Sequence, residues 1–201
     1  MIIAKLLSYI SGKLDRWLLH LPRRFQFIVN SVETQTFPEI SGWPIIVNRG
    51  VFRVGSNVTI VSKMKSNPVG GRTKSCFFVS PTGVLSIGNN VAISNSVFFV
   101  TNRIEIEDDV FIGGGVQLYD SDFHSLDYTN RMKRPDPDVK SAPIKICHGA
   151  FIGTSAIIMK GVVVGSKSVI AAGAIVTKSI PPNEIWGGNP AKYLRKVNLN
   201  E

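Results

Sequence analysis

From Ile146 to Val176 an aliphatic residue returns at every sixth position: Ile146, Ile152, Ile158, Val164, Ile170 and Val176. A second series, small or aliphatic, runs four residues further on, at Ala150, Ala156, Val162, Ser168, Ala174 and Ile180. The same step recurs upstream in Val54 and Ile60, in Ile87 and Ile93, and in Ile106, Ile112 and Leu118. An α-helix repeats its buried face about every 3.6 residues and a strand about every 2. Six is foreign to both. It fits a solenoid whose coils have three flat sides, each sending one aliphatic side chain to the axis to stack on its equivalent in the next coil. The residue after the aliphatic one turns the corner, where a Cβ is unwelcome. Gly55, Gly88, Gly113, Gly153 and Gly165 stand there, with Ala171 nearly as small. Period and corner chemistry together predict a parallel β-helix.

The period fails in three places and is absent from a fourth. Between Leu118 and Ile144 lies the polar, proline-containing stretch "YDSDFHSLDYTNRMKRPDPDVKSAP". A long loop inside a repeat array reads as functional. It holds His124, one of three histidines. The segment Ser62 to Pro81 also disturbs the register, and a one-residue slip falls between Phe99 and Ile106. At the N-terminus, Ile3, Leu6, Leu7, Ile10, Leu14, Trp17, Leu18 and Leu21 form a helical stripe that Pro22 is expected to end. Lys5, Lys13, Asp15 and Arg16 interrupt it, so it falls short of a bilayer span, and it lacks the uncharged core of a signal peptide. The expected organisation is a helical segment over 1–40, a β-helix over 41–182 with a loop insertion at 119–143, and a turn and short helix over 183–201.

Composition narrows the partners. The chain has 201 residues, 23 Lys plus Arg against 14 Asp plus Glu, and a net charge of +9, which suits a polyanionic partner. Nucleic acid is not expected, because aromatic residues are not interleaved with a basic stripe. Cys76 and Cys147 form neither a disulfide framework nor a zinc pair, so a cytoplasmic location is expected. His20, His124 and His148 are far apart in sequence with no completing Cys or carboxylate set, so no metal is expected.

Over residues 50 to 196, and most specifically in "APIKICHGAFIGTSAIIMKGVVVG" and "VIAAGAIVTKSIPPNEIWGGNPAKYLRKV", the chain resembles the hexapeptide-repeat acyltransferases. The branch it is most similar to is that of bacterial polysaccharide O-acetyltransferases with galactoside and xenobiotic acetyltransferases. The resemblance implies an all-β, left-handed parallel β-helix and a homotrimer, neither of which periodicity alone shows. It implies acetyl-coenzyme A as donor, and His124 as general base, since a neutral imidazole is available near neutral pH. Asp120 or Asp122 would orient that imidazole; the sequence does not choose between them. Thr154 and Ala172 would line the pantetheine arm, Thr177 and Lys178 would make the next coenzyme contacts, and Lys192 and Arg195 would meet its phosphates. Lys192 stands where relatives carry arginine, which loses a bidentate grip but keeps the charge. Asn95 matches, through the slipped register, a position that binds acceptor, and Phe151 matches an aromatic position that would pack beside the active-site tunnel or on the rim of the trimer.

The function expected is transfer of acetyl to a sugar hydroxyl of an O-antigen, capsule or exopolysaccharide, or of its precursor. The basic terminal helix would suit peripheral contact with the inner membrane. The alternatives are N-acetylation of a nucleotide-linked amino sugar, acetylation of an antibiotic, and a β-helix scaffold without catalysis.

Overall fold

The computed structural model describes residues 19–69 and 73–198. It opens with helix α1 (His20–Val29). The stripe from Ile3 to Leu18 lies outside the described residues. Pro22 does not end the helix. It sits in the first turn of α1, where its missing N–H would have had no intrahelical partner.

Six coils follow. Strands β1 (Val32–Thr34), β2 (Glu39–Gly42) and β3 (Ile45–Asn48) make the first, which therefore starts inside the segment assigned to the helical region. The next two are β4 (Val51–Val54), β5 (Thr59–Ser62) and β6 (Cys76–Val79), then β7 (Val84–Ile87), β8 (Ala92–Ser94) and β9 (Val97–Val100). Strands β10 (Arg103–Ile106), β11 (Phe111–Ile112) and β12 (Gln117–Tyr119) make the fourth. The loop that follows contains a single helical turn, α2 (Tyr128–Arg131). Strands β13 (Ile144–Ile146), β14 (Phe151–Ile152) and β15 (Ile157–Met159) make the fifth coil, and β16 (Val163–Val164), β17 (Val169–Ile170) and β18 (Ile175–Val176) the sixth.

Every third strand pairs in parallel, giving three sheets: A (β1-β4-β7-β10-β13-β16), B (β2-β5-β8-β11-β14-β17) and C (β3-β6-β9-β12-β15-β18). The result is a left-handed parallel β-helix. Each member of the two six-residue series is buried. A Cβ on Gly153 would stand 2.6 Å from Ala172 N, and one on Gly165 would stand 2.5 Å from Pro182 N. The corner glycines are thus required by the backbone of the next coil.

The register slip has a local cause. Between β8 and β9 the corner Ser94–Asn95–Ser96 is one residue short, and Asn95 takes a left-handed φ of 47°. Phe98 rather than Phe99 therefore points to the axis, pairing with Leu118, and Phe99 faces out. The N-terminal half of the prism is filled by aromatic rings, Phe52, Phe77 and Phe98, with centroids 5.1–5.3 Å apart.

Helix α1 closes the N-terminal end. Phe27 is buried against Phe37 at 5.2 Å, and the buried Arg23 donates from Nε to the Gly42 carbonyl. At the other end the expected C-terminal helix is replaced by two strands. β19 (Glu184–Gly187) extends sheet B beside β17, and β20 (Lys192–Lys196) returns antiparallel to it. The free edge of β19 supplies a ladder partner, and the five residues of β20 are all exposed, so no buried stripe favours a helix.

Replacing Ile158, fully buried at the axis, by alanine should cost about 2–5 kcal/mol. Gly165→Ala should cost about 1–3 kcal/mol by forcing coils apart. Urea unfolding of each variant measures both.

Candidate functional site

The loop between β12 and β13 is pinned at its root. Asp120 is fully buried, and its carboxylate accepts from Thr101 N–H at 2.8 Å, Thr101 Oγ1 at 2.8 Å and Asn102 N–H at 2.8 Å. Ala142 N–H donates to the Asp120 carbonyl at 3.0 Å, and Asp122 N–H to the Lys140 carbonyl at 3.0 Å. The Asp122 carboxylate pairs with Lys160 at 2.7 Å. Neither aspartate is the partner of His124, which corrects the expectation for both: Asp120 clamps the coil above it, and Asp122 ties the loop to the coil below.

The carboxylate beside His124 comes from the far limb of the loop. His124 Nδ1 lies 3.8 Å from Asp136 Oδ2, with the imidazole 66% exposed and the carboxylate 9% exposed. Asp136 accepts from Ser125 N–H at 2.8 Å and from the Ser125 hydroxyl. These hydrogen bonds hold the Asp136 carboxyl below the usual range, with a smaller contribution from His124. Sequence reasoning missed Asp136 because it lies twelve positions from His124, between two prolines, with no spacing that marks the pair. Phe123, at a φ of 64°, folds back on the outer face of sheet C against Phe99 at 4.6 Å and Tyr119 at 5.3 Å. His124 is thereby directed outward.

The residues expected to hold a coenzyme lie elsewhere. Gly114, Thr154 and Ala172 follow one another down the corner where the chain passes from sheet B to sheet C. Thr154 Oγ1 donates to the Gly114 carbonyl at 2.7 Å, and Gly173 N–H to the Thr154 carbonyl at 2.8 Å. Thr177 and Lys178 are exposed after β18, and Lys178 Nζ lies 5.4 Å from the centre of the Trp186 ring. Lys192 and Arg195 are exposed on β20, close in the fold because Trp186 and Tyr193 also touch, at 6.4 Å. Basic side chains therefore gather at the C-terminal end of the prism.

Within one chain the two sets do not meet. Thr154 and Ala172 stand where strands enter sheet C, His124 follows the edge where they leave it, and the width of the sheet lies between. That outer face carries Ile157, Met159 and Ile175 beside Gln117 and Tyr119, all half-buried. Phe151 is exposed next to Phe111 on sheet B, away from His124. Asn95 is fully buried and donates from Nδ2 to the Asn67 carbonyl at 2.9 Å, fastening the loop after β5. That placement does not open it to an acceptor. His148 faces Asp109 at 3.4 Å from the edge of sheet A, and His20 packs on Phe37 at 5.3 Å. No group of three His, Cys, Asp or Glu among the described residues could hold a metal ion. No helix among them is long and apolar enough to cross a membrane.

Residues 143–178 match the family model described as the hexapeptide repeat of succinyl-transferase. The chain is 33% identical over 125 residues to the galactoside O-acetyltransferase of Escherichia coli K12, covering 60% of this chain and 61% of that protein. Among solved structures, a hexapeptide-repeat acetyltransferase of Vibrio cholerae complexed with acetyl-coenzyme A is 36% identical, with a TM-score of 0.53 over 57% of this chain and 61% of that one. A polySia-specific acetyltransferase is 25% identical, with a TM-score of 0.57 over 82% and 66%.

Asp120→Asn should leave Thr101 and Asn102 donors facing an amide and destabilise the chain by about 2–3 kcal/mol. Urea unfolding checks this, and a loss no larger than that of an exposed Asp→Asn control such as Asp127→Asn would place the clamp elsewhere.

Proposed function

We propose that this chain, which belongs with the hexapeptide-repeat acetyltransferases, moves the acetyl group of acetyl-coenzyme A to a sugar hydroxyl of a bacterial surface polysaccharide or its precursor. The observation that carries this reading is the division of the site between the two edges of sheet C. An exposed imidazole stands at one edge. A column of small residues, Gly114, Thr154 and Ala172, lines the other. Copies related by rotation about an axis along the prism would set the His124 loop of one beside the Thr154–Ala172 corner of the next. Such a head-to-tail contact closes into a ring, and a homotrimer is the closure we propose.

In that cleft Thr154 and Ala172 flank the pantetheine arm. Thr177, Lys178, Lys192 and Arg195 receive the phosphates at the basic end. Acetyl-coenzyme A supplies the acyl group as a thioester. Neutral His124 takes the proton from the acceptor hydroxyl through Nε2 as the oxygen attacks the carbonyl carbon. Backbone N–H near Thr154 stabilises the oxyanion. When the C–S bond breaks, the imidazolium returns its proton to the leaving thiolate. Both substrates are bound together, and no covalent acyl-enzyme forms.

A carbohydrate acceptor is supported by the names of two relatives, one acting on galactosides and one specific for polySia. A cytoplasmic protein with its N-terminal end against the inner leaflet fits a lipid-borne acceptor. Leu21, Phe25, Ile28 and Val29 are exposed on α1, which also exposes Arg24 and carries no acidic residue.

His124→Ala should lower kcat/KM for acetyl transfer by about 100- to 10,000-fold, while a thermal shift with acetyl-coenzyme A persists. Near-normal turnover would overturn the assignment of the base. Turnover confined to nucleotide-linked amino sugars, in a screen that also offers hydroxyl acceptors, would overturn the acceptor class.

A further inference from the structure

We propose that Asp136 is the positioning residue of His124, held in place by Ser125, so that the two limbs of one loop build a carboxylate–imidazole pair. The inference rests on the reading of His124 as the base.

Three observations converge on it. Asp136 Oδ2 is 3.8 Å from Nδ1 while its side chain is nearly buried, so the carboxylate is fixed and the exposed imidazole is the partner free to turn. A rotation that shortens the gap by about one ångström makes a hydrogen bond. Ser125 follows His124 directly and grips the carboxylate with both its N–H and its hydroxyl. The loop is thus cross-linked at the base itself, and a shift of Asp136 carries the backbone of His124 with it. Those same hydrogen bonds lower the carboxyl's pKa and so favour its ionised form.

Neighbouring charged groups of the loop are engaged elsewhere, Asp127 among them, which accepts from Asn130 N–H. Asp122 pairs with Lys160, and Asp138 with Lys140. Arg131, at the end of α2, donates to the carbonyls of Ser125 and Leu126. Asp136 is therefore the carboxylate set to accept Nδ1–H. Accepting it fixes the tautomer that leaves Nε2 unprotonated, and it stabilises the imidazolium that appears when the acceptor hydroxyl loses its proton. Asp120 and Asp122, nearer in sequence, are spent on the coils above and below.

The test compares Asp136→Asn, Asp136→Glu and Ser125→Ala with the unaltered protein in acetyl transfer and in an NMR titration of the histidine ring protons. The His124 signal is identified by its loss in His124→Ala. Asp136→Asn should lower kcat about 10-fold or more with KM for acetyl-coenzyme A unchanged. Removing the negative charge destabilises the imidazolium, so the acid limb of the pH–rate profile and the His124 titration should both move to lower pH, by about half a unit or more. Asp136→Glu should restore part of both. Ser125→Ala keeps the charge, so it should lower kcat but displace the His124 titration less than Asp136→Asn does. A His124 titration unmoved in Asp136→Asn would overturn the proposal, as would equal displacement by Ser125→Ala. The titration needs no turnover, so it decides the pairing even if His124→Ala were to show that the base lies elsewhere.

Discussion

The distance from one coil to the next is set by the parallel ladder, about 4.8 Å, and the rest of the chain is fitted to that spacing. At the corners held by glycine it leaves no room for a side chain: the Cβ that Gly153 lacks would stand 2.6 Å from a backbone nitrogen of the next coil. Inside, it repeats the same burial on each side of each coil, which is why the burial pattern has a period of six. Corners that bend too sharply for ordinary φ use left-handed positions, and these fall in a column at Asn57, Asn90, Asp109, Gly149, Lys167 and Asn183. The column is joined by hydrogen bonds between successive coils, from Asn90 N–H to Ser56 and from Lys167 N–H to His148. A rigid prism with few ways to slip follows from that one spacing.

What the sequence made legible is what the ladder repeats. In the lower coils each hexad reports its own register through one buried aliphatic residue, so Ile146 to Val176 and the corner glycines could be read directly. Where the constraint is not repeated, the pattern says less. The corner at Asn95 drops one residue and moves Phe98 inward in place of Phe99. Residues 192–196 are wholly exposed and carry no burial pattern, so nothing in them separates a strand from the helix expected there. Pro22 looked like a helix end because a first-turn proline and a terminating one are identical in sequence. Of the proposed site, His124 could be picked out because it lies in the longest break of the period. Asp136 could not, since its approach to His124 depends on how the loop folds back.

A solenoid has flat sides and no cleft of its own, so chemistry has to be brought to it by what departs from the repeat. The loop from Asp120 to Ala142 departs from the repeat without becoming loose. Its ends are joined by the Asp120–Ala142 and Asp122–Lys140 hydrogen bonds and by the Ser121–Ser141 bridge. The imidazole is carried on a short, cross-braced projection, while the small-residue corner at the opposite edge of sheet C is as rigid as the ladder itself. Preorganisation of this kind matters because a misplacement of about an ångström at the reacting groups can cost about 100-fold in rate.

Phe123 shows how that projection is aimed. A bulky residue in the left-handed region costs about 1–3 kcal/mol, and nothing in local sequence preference favours it. Each aromatic contact returns about 0.5–1.5 kcal/mol beyond the area it buries, and Phe123 makes two, with Phe99 and Tyr119. The contacts and the strain are therefore of similar size, and the partial burial of the ring, 42% exposed, adds to the stacking. With Phe123 turned in at a φ of 64°, the following residue is turned out. The slip at Asn95 contributes to this, because it is what places Phe99 on the outer face to receive the ring. A one-residue shortening of a corner in the third coil thus helps to set the direction in which His124, in the next break of the period, leaves the prism.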